Sequence, residues 1–192
     1  MQKFGRPNAK SLIESPFLTQ VLVTDVQGDL NYDPVYDDET IWQLLSDVQD
    51  PEIPTVSVVD LGIVRSVRIE GKQVILGVTP TYSGCPATEL INDLIREALT
   101  FAGYHSIKIN QLLSPAWTTD FITQTGKDKL KRFGIAPPKG SVNKASLIDR
   151  DIECPHCASV HTHILSEFGS TACKALYQCD SCREAFDYFK CI

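Results

Sequence analysis

The first regular spacing of apolar residues begins at Thr40, where Ile41, Leu44, Leu45 and Val48 recur at three- and four-residue intervals and share one face of a helix. Thr40 is the predicted N-cap. Asp50-Pro51-Glu52-Ile53-Pro54 must end that helix, because Pro51 disfavours helical geometry at Asp50 and both prolines lack a backbone donor. The segment is therefore a rigid loop, and it carries two carboxylates, Asp50 and Glu52. The period then changes to two: Val67 and Ile69 before Gly71-Lys72, and Val74, Leu76 and Val78 after it, predict a β-hairpin. From Pro86 to Ala102, Leu90, Leu94 and Ala98 run beside Ile91, Ile95 and Leu99 as a continuous apolar stripe, closed by Gly103 as a C′ residue. A further strand is expected from Ser106 to Leu113. Beyond Ser114-Pro115-Ala116-Trp117, one short helix should start at Thr118 or Thr119, and another should run from Lys127 to Phe133, before Gly134.

Helix, hairpin, helix, strand and helix in this order predict a two-layer α+β domain, with helices on one face of a small sheet, over residues 39–138. Residues 1–38, with Pro7, Pro16, Gly28 and Pro34 and a short alternation around Val21 and Val23, read as an N-terminal extension. Pro137-Pro138-Lys139-Gly140-Ser141 is the clearest break, opening a linker over 139–150. No internal repeat is visible.

Residues 151–192 have a different logic. Cys154-Pro155-His156-Cys157 and Cys179-Asp180-Ser181-Cys182 are two C-x₂-C knuckles, the pattern of a four-thiolate zinc ribbon. This tail has few large apolar residues, so bound metal would supply much of its folding free energy. Spacing alone does not separate zinc from iron on four sulfurs. Cys173 and Cys191 are left over, as packed hydrophobes or as replacement ligands and redox thiols. His156, His161 and His163 are close in sequence, yet four thiolates already complete a tetrahedron.

Charge removes one class of function. The 192-residue chain carries a net −6, and residues 151–192 hold three basic against six acidic side chains, too few cations for counter-ion release on nucleic acid. The basic run Lys127, Lys129, Lys131, Arg132, Lys139, Lys144 and Arg150 reads as solvated surface. Met1 to Lys10 contains Lys3, Arg6 and Lys10 but no apolar region follows, and no stretch approaches about 18 unbroken apolar residues, so a cytoplasmic protein without a membrane partner is expected. Seven cysteines in such a compartment point to thiol or metal chemistry rather than disulfides. A homo-oligomer is compatible with the sequence.

The candidate functional thiol is Cys85, in Ser83-Gly84-Cys85-Pro86. With Pro86 at the first helical position, Cys85 falls at the N-cap, where free amides and the helix dipole stabilise a thiolate that is reactive or a soft metal ligand. The bland alternative is a cysteine packed at the helix start. Thr79, Thr81, Tyr82 and Ser83 could line the same loop, whereas Asp50, Glu52 and Asp60 reach it only through tertiary folding. His105 is the one histidine of this domain and no Cys-His or Ser-His-Asp arrangement is evident, so the chain is not expected to be catalytic alone.

Asp50-Pro51-Glu52-Ile53-Pro54, Asp60-Leu61-Gly62-Ile63-Val64, Thr79 and Gly84-Cys85-Pro86 resemble the small domain of iron-sulfur assembly factors of the SufT type. The stretch from Ser114 to Thr123, then Leu130 to Pro138, and the four-cysteine tail are similar to the PaaD (also PaaJ) family of the phenylacetyl-CoA epoxidase system. The likeness runs from Thr40 onward. It implies an accessory to a di-iron oxygenase, helping to mature the oxygenase subunit or its iron-sulfur reductase. It also implies Cys85 as a metal- or cluster-transfer thiolate, Asp50, Glu52, Asp60 and Thr79 in the same signature, structural zinc on Cys154, Cys157, Cys179 and Cys182, and transient iron or iron-sulfur cargo. A purely structural subunit and an electron carrier with its own cluster are the alternatives.

Overall fold

The computed structural model describes residues 34–82, 84–138 and 152–190. Expectations for residues 1–33 of the N-terminal extension, the linker, Ser83 and Cys191 fall outside them, whereas the last residues expected in that extension, Asp37 and Asp38, cap and open the first helix. Helix α1 spans Asp38–Ser46, with Asp37 as its cap: its carboxylate accepts from the Thr40 amide at 2.8 Å and the Thr40 hydroxyl at 2.6 Å. The cap thus lies three residues earlier than expected, because Thr40 serves as the donor to an upstream carboxylate. Strands β1 (Val64–Glu70) and β2 (Gln73–Val78) form the antiparallel hairpin about Gly71-Lys72.

Helix α2 (Thr88–Phe101) follows, and β3 (Ser106–Gln111) returns parallel to β2, giving the order β1-β2-β3. Gly103, at φ +92°, donates to Thr100 at 3.0 Å while Tyr104 donates to Leu99 at 2.9 Å; these paired bonds close α2 as a Schellman motif. Ile91, Ile95, Ala98 and Leu99 of α2 and Ile41, Leu44 and Leu45 of α1 join Val74, Leu76 and Val78 of β2 in one core, the expected α+β layering.

A 3₁₀ turn at Thr119–Phe121 takes the place of the first short helix, and α3 (Gln124–Arg132) starts three residues before the expected Lys127. Its cap is Thr123, whose hydroxyl accepts from Gly126 at 2.9 Å. Strand β4 (Ile135–Ala136) then leaves the first sheet altogether. It pairs parallel with β7 (Ala185–Phe189), beside β6 (Lys174–Cys179) and β5 (Thr162–Ser166), as the edge of a second, four-stranded sheet.

The two units share residues across this seam. Ile135 belongs to the α+β core, whereas its neighbour Ala136 packs with Ile152, Tyr177, Phe186 and Tyr188 in the ribbon core. Cys173 and Phe189, at one end of the β6–β7 pair, are buried in the α+β core, and Phe189 meets the Trp117 ring at 6.0 Å between centroids. Trp117 is fixed in turn by its Nε1–H donating to the Leu61 carbonyl at 2.9 Å.

Candidate functional site

Both C-x₂-C knuckles are built alike. The fourth residue after the first cysteine, Ala158 in one and Arg183 in the other, takes positive φ (60° and 68°) and donates to that cysteine's carbonyl at 2.9 Å. The amides of Cys154 and Cys179 donate to Ser159 and Glu184, five residues on. Each turn therefore points two sulfurs inward, and the four Sγ atoms lie within 4.8 Å of one another. Cys154 to Cys182 is 3.7 Å and Cys157 to Cys179 is 3.6 Å. A tetrahedral ion with bonds to sulfur of about 2.3 Å has sulfur edges of about 3.8 Å, so the quartet fits a single metal ion. The Cys182 amide donates to the Cys179 sulfur at 3.5 Å; that bond, with one from Ser181, draws the Cys179 thiol down to about 6 against the opposing effect of desolvation, favouring the thiolate that binds metal. His163 pairs with Asp180 at 3.0 Å instead of joining the quartet.

The second site is a cleft at the seam, walled by Asp50, Glu52, Cys85, Cys173 and Phe189. Asp50, 6% exposed, accepts from the amides of Glu52 at 2.9 Å and Ile53 at 2.8 Å on one carboxylate oxygen, which holds the Pro51–Pro54 loop in shape. Burial pushes the Asp50 carboxyl above its ordinary range, and burial followed by the Asp50 charge does the same to Glu52. Both are opposed by the Lys174 charge from the ribbon.

Cys85 stands in a turn ahead of α2 rather than at its N-cap, which is Ala87. Pro86 and Ala87 complete that turn, with the Cys85 carbonyl accepting from the Thr88 amide at 3.2 Å and the Thr88 hydroxyl at 2.9 Å. The Cys85 amide donates to the Tyr82 carbonyl at 3.2 Å, and the Tyr82 phenol lies near enough to the thiol to feel its charge. Desolvation, then the Cys85 and Glu52 charges, pushes that phenol up to about 12, so it stays protonated and able to donate.

Asp50, Glu52 and Cys85 are thus brought together; Asp60 and Thr79 are not among the cleft walls. The Asp60 carboxylate accepts from the Ser57 amide at 2.9 Å and from Lys129, and its carbonyl accepts from Thr123 at 2.9 Å, tying the loop to α3. Thr79 is buried and donates its amide to Ile63 at 2.8 Å. Cys173 and Phe189 join the cleft without any signal in local spacing; the one hint is a cysteine left over outside the knuckles. Two thiols and two carboxyl groups therefore line one cleft, but among the described residues only the knuckle quartet has its ligand atoms gathered within 4.8 Å of one another.

Residues 38–109 match the iron-sulfur cluster assembly protein family, and residues 138–190 match the PaaD zinc beta ribbon domain. An Escherichia coli (strain K12) protein, provisionally named as the D component of 1,2-phenylacetyl-CoA epoxidase, is 55% identical over 152 residues, 79% of this chain and 92% of that protein. An Fe-S protein maturation auxiliary factor from Porphyromonas gingivalis is 31% identical over 97 residues, 50% of this chain and 91% of that protein. A crystal structure of a domain of unknown function from Bacillus anthracis aligns at 25% identity with a TM-score of 0.46, covering 48% of this chain and 90% of that one. Fold and site together define an iron-sulfur-assembly-type domain fused to a four-cysteine zinc ribbon. Within that class, the chain belongs to the PaaD family of phenylacetyl-CoA epoxidase components.

Proposed function

We propose that the chain is an accessory maturation factor of the phenylacetyl-CoA epoxidase, assisting insertion of iron or an iron-sulfur cluster into the di-iron oxygenase or the iron-sulfur reductase. The observation that carries this reading is the cleft itself: Cys85 opens beside Glu52 and Asp50 in a domain of the iron-sulfur assembly family. Cys85 holds the cargo through sulfur, and the acidic loop adds oxygen donors from a backbone already stiffened by its two prolines. Asp60 and Thr79 shape the loops behind the site.

The ribbon takes zinc on Cys154, Cys157, Cys179 and Cys182 as a structural ion. Sulfur separations of 3.6 and 3.7 Å support one ion rather than a multi-iron cluster, which disfavours the electron-carrier alternative. The exposed apolar residues Val160, Leu165 and Phe168 give the ribbon a surface for docking the recipient protein.

Co-expression of Cys85→Ser with the other epoxidase components, followed by anaerobic iron and sulfide analysis of each partner, tests the reading. Lower occupancy in one partner is expected, with ribbon zinc unchanged; full occupancy in every partner would leave a passive scaffold.

A further inference from the structure

Helix α2 carries more apolar surface than its own core uses. Ile91, Ile95, Ala98 and Leu99 are buried, yet Leu90 and Phe101 remain 41% and 48% exposed, and Leu94 is only partly buried. With about 3.6 residues per turn, Leu90, Leu94 and Phe101 fall within about 40° of one another, a stripe about 16 Å long on one flank of the helix. By the same periodicity the exposed Asp93 and Glu97 border that stripe on the side away from the core, and Glu89 adds a third exposed carboxylate near its start. Arg96, the helix's one cation, turns elsewhere and donates to the Ile107 carbonyl of β3 at 3.4 Å.

The described chain starts at the far end of this stripe. Pro34 is buried against Gly103, its ring carbons 3.5 Å from where a Cβ on that glycine would stand. The Val35 carbonyl accepts from the Tyr104 hydroxyl, and Tyr36 meets the Tyr104 ring edge-on at 5.2 Å between centroids. Whatever precedes Pro34 therefore arrives within a turn of Phe101.

We infer that this flank of α2 is the docking surface for the chain's own N-terminal arm. The apolar stretch Phe17-Leu18-Thr19-Gln20-Val21-Leu22-Val23 covers Leu90, Leu94 and Phe101, and Lys3, Arg6 and Lys10 meet the α2 carboxylates. Length permits it, since residues 24–33 can span about 33 Å, about twice the stripe. Charge selects it: residues 1–13 hold those three cations and no carboxylate, whereas α2 offers three carboxylates against one arginine. A second copy of α2 would instead set like charges against each other. Tethering at Pro34 also gives the arm an effective concentration that a free partner lacks. The first turn of α2 lines the cleft through Thr88 and Ile91, so the covered flank ends at the cleft rim. The inference stands apart from the reading of Cys85.

The test replaces one residue of the arm in the full, zinc-loaded chain, Val21→benzoylphenylalanine, and maps its photo-cross-links by mass spectrometry in an equal mixture of ordinary and isotope-labelled copies. Cross-links within one copy to residues 88–101 are expected. Leu90→Asn with Phe101→Asn should cut them about tenfold while far-ultraviolet circular dichroism stays unchanged, because both side chains are half exposed. The principal result comes from a chain with an intact stripe, so it does not depend on how the double variant folds. Cross-links between ordinary and labelled copies would give the stripe to a second copy, and capture of an added epoxidase component in preference to α2 would give it to a partner; either overturns the inference. Cross-links that miss α2, or a yield that survives the double substitution in a folded chain, overturn it as well.

Discussion

Gly62 is the residue whose replacement tests most directly how the cleft wall is built. It sits at φ +63° between Leu61 and Ile63, both of which line the cleft, and a Cβ built on it would stand 2.3 Å from the Phe121 carbonyl oxygen and 2.7 Å from the Phe121 Cβ. Two costs follow for Gly62→Ala. The left-handed backbone costs a non-glycine residue about 1 to 2 kcal/mol. The clash is with backbone and cannot be relieved by rotating a side chain, so the 3₁₀ turn must move. That motion endangers the Thr123 amide bond to Asp60 at 2.9 Å and the stacking of Arg65 over the Phe121 ring at 3.4 Å. Together these are worth about 2 kcal/mol.

Gly71 provides the internal control, because its φ is nearly the same at +61° and nothing lies within 4 Å of its Cβ position. Gly71→Ala should therefore show the backbone cost alone, about 1 to 2 kcal/mol, and Gly62→Ala should exceed it by about 2 kcal/mol. Urea unfolding of the metal-loaded proteins, followed by far-ultraviolet circular dichroism, measures both. Equal destabilisation in the two variants would refute the close approach of the Gly62 loop to the Phe121 turn.

Asp50→Asn keeps an oxygen acceptor for the Glu52 and Ile53 amides while removing the charge. Because burial raises the Asp50 carboxyl, the folded state binds its proton more tightly than the unfolded chain; the resulting stability is full below the unfolded value of about 4 and is lost as pH rises through the raised folded one. The variant should therefore be at least as stable as wild type at neutral pH and gain less on acidification, and a wild-type pH slope in its urea midpoints would contradict this. Stripping the ribbon metal with a strong chelator, in a Trp42→Phe background, should shift Trp117 emission to the red, since Trp117 is 6% exposed and rests on the ribbon's Phe189. Unchanged emission after complete metal loss would show that the two units do not depend on each other at the seam.

The elements that local chemistry controls are readable in the chain. The stripe Leu90, Ile91, Leu94, Ile95, Ala98 and Leu99, the Gly103 cap, the Gly71-Lys72 turn and the paired knuckles each carry their own short-range signature. Helix starts are less readable because several residues could cap: Asp37 and Thr40 both qualify, and the carboxylate takes the role while threonine becomes its donor. At Cys85 the proline cue is satisfied by a turn just ahead of the helix, which moves the thiol two residues from the cap. Asp60 shares a sequence signature with Asp50 and Glu52, but its carboxylate is occupied by Ser57 and Lys129. Cys173 and Phe189 reach the cleft only because β4 crosses from one unit to the other and docks the ribbon; such long-range placement leaves no periodic trace.

The shared cleft also imposes a sequence of events on the newly made chain. Since one wall is contributed by the ribbon, whose folding a bound metal would drive, the cleft is complete only once the ribbon has formed and docked. Opening of the four-sulfur cluster at one end of the β6–β7 pair should therefore be felt at the cleft wall formed by its other end.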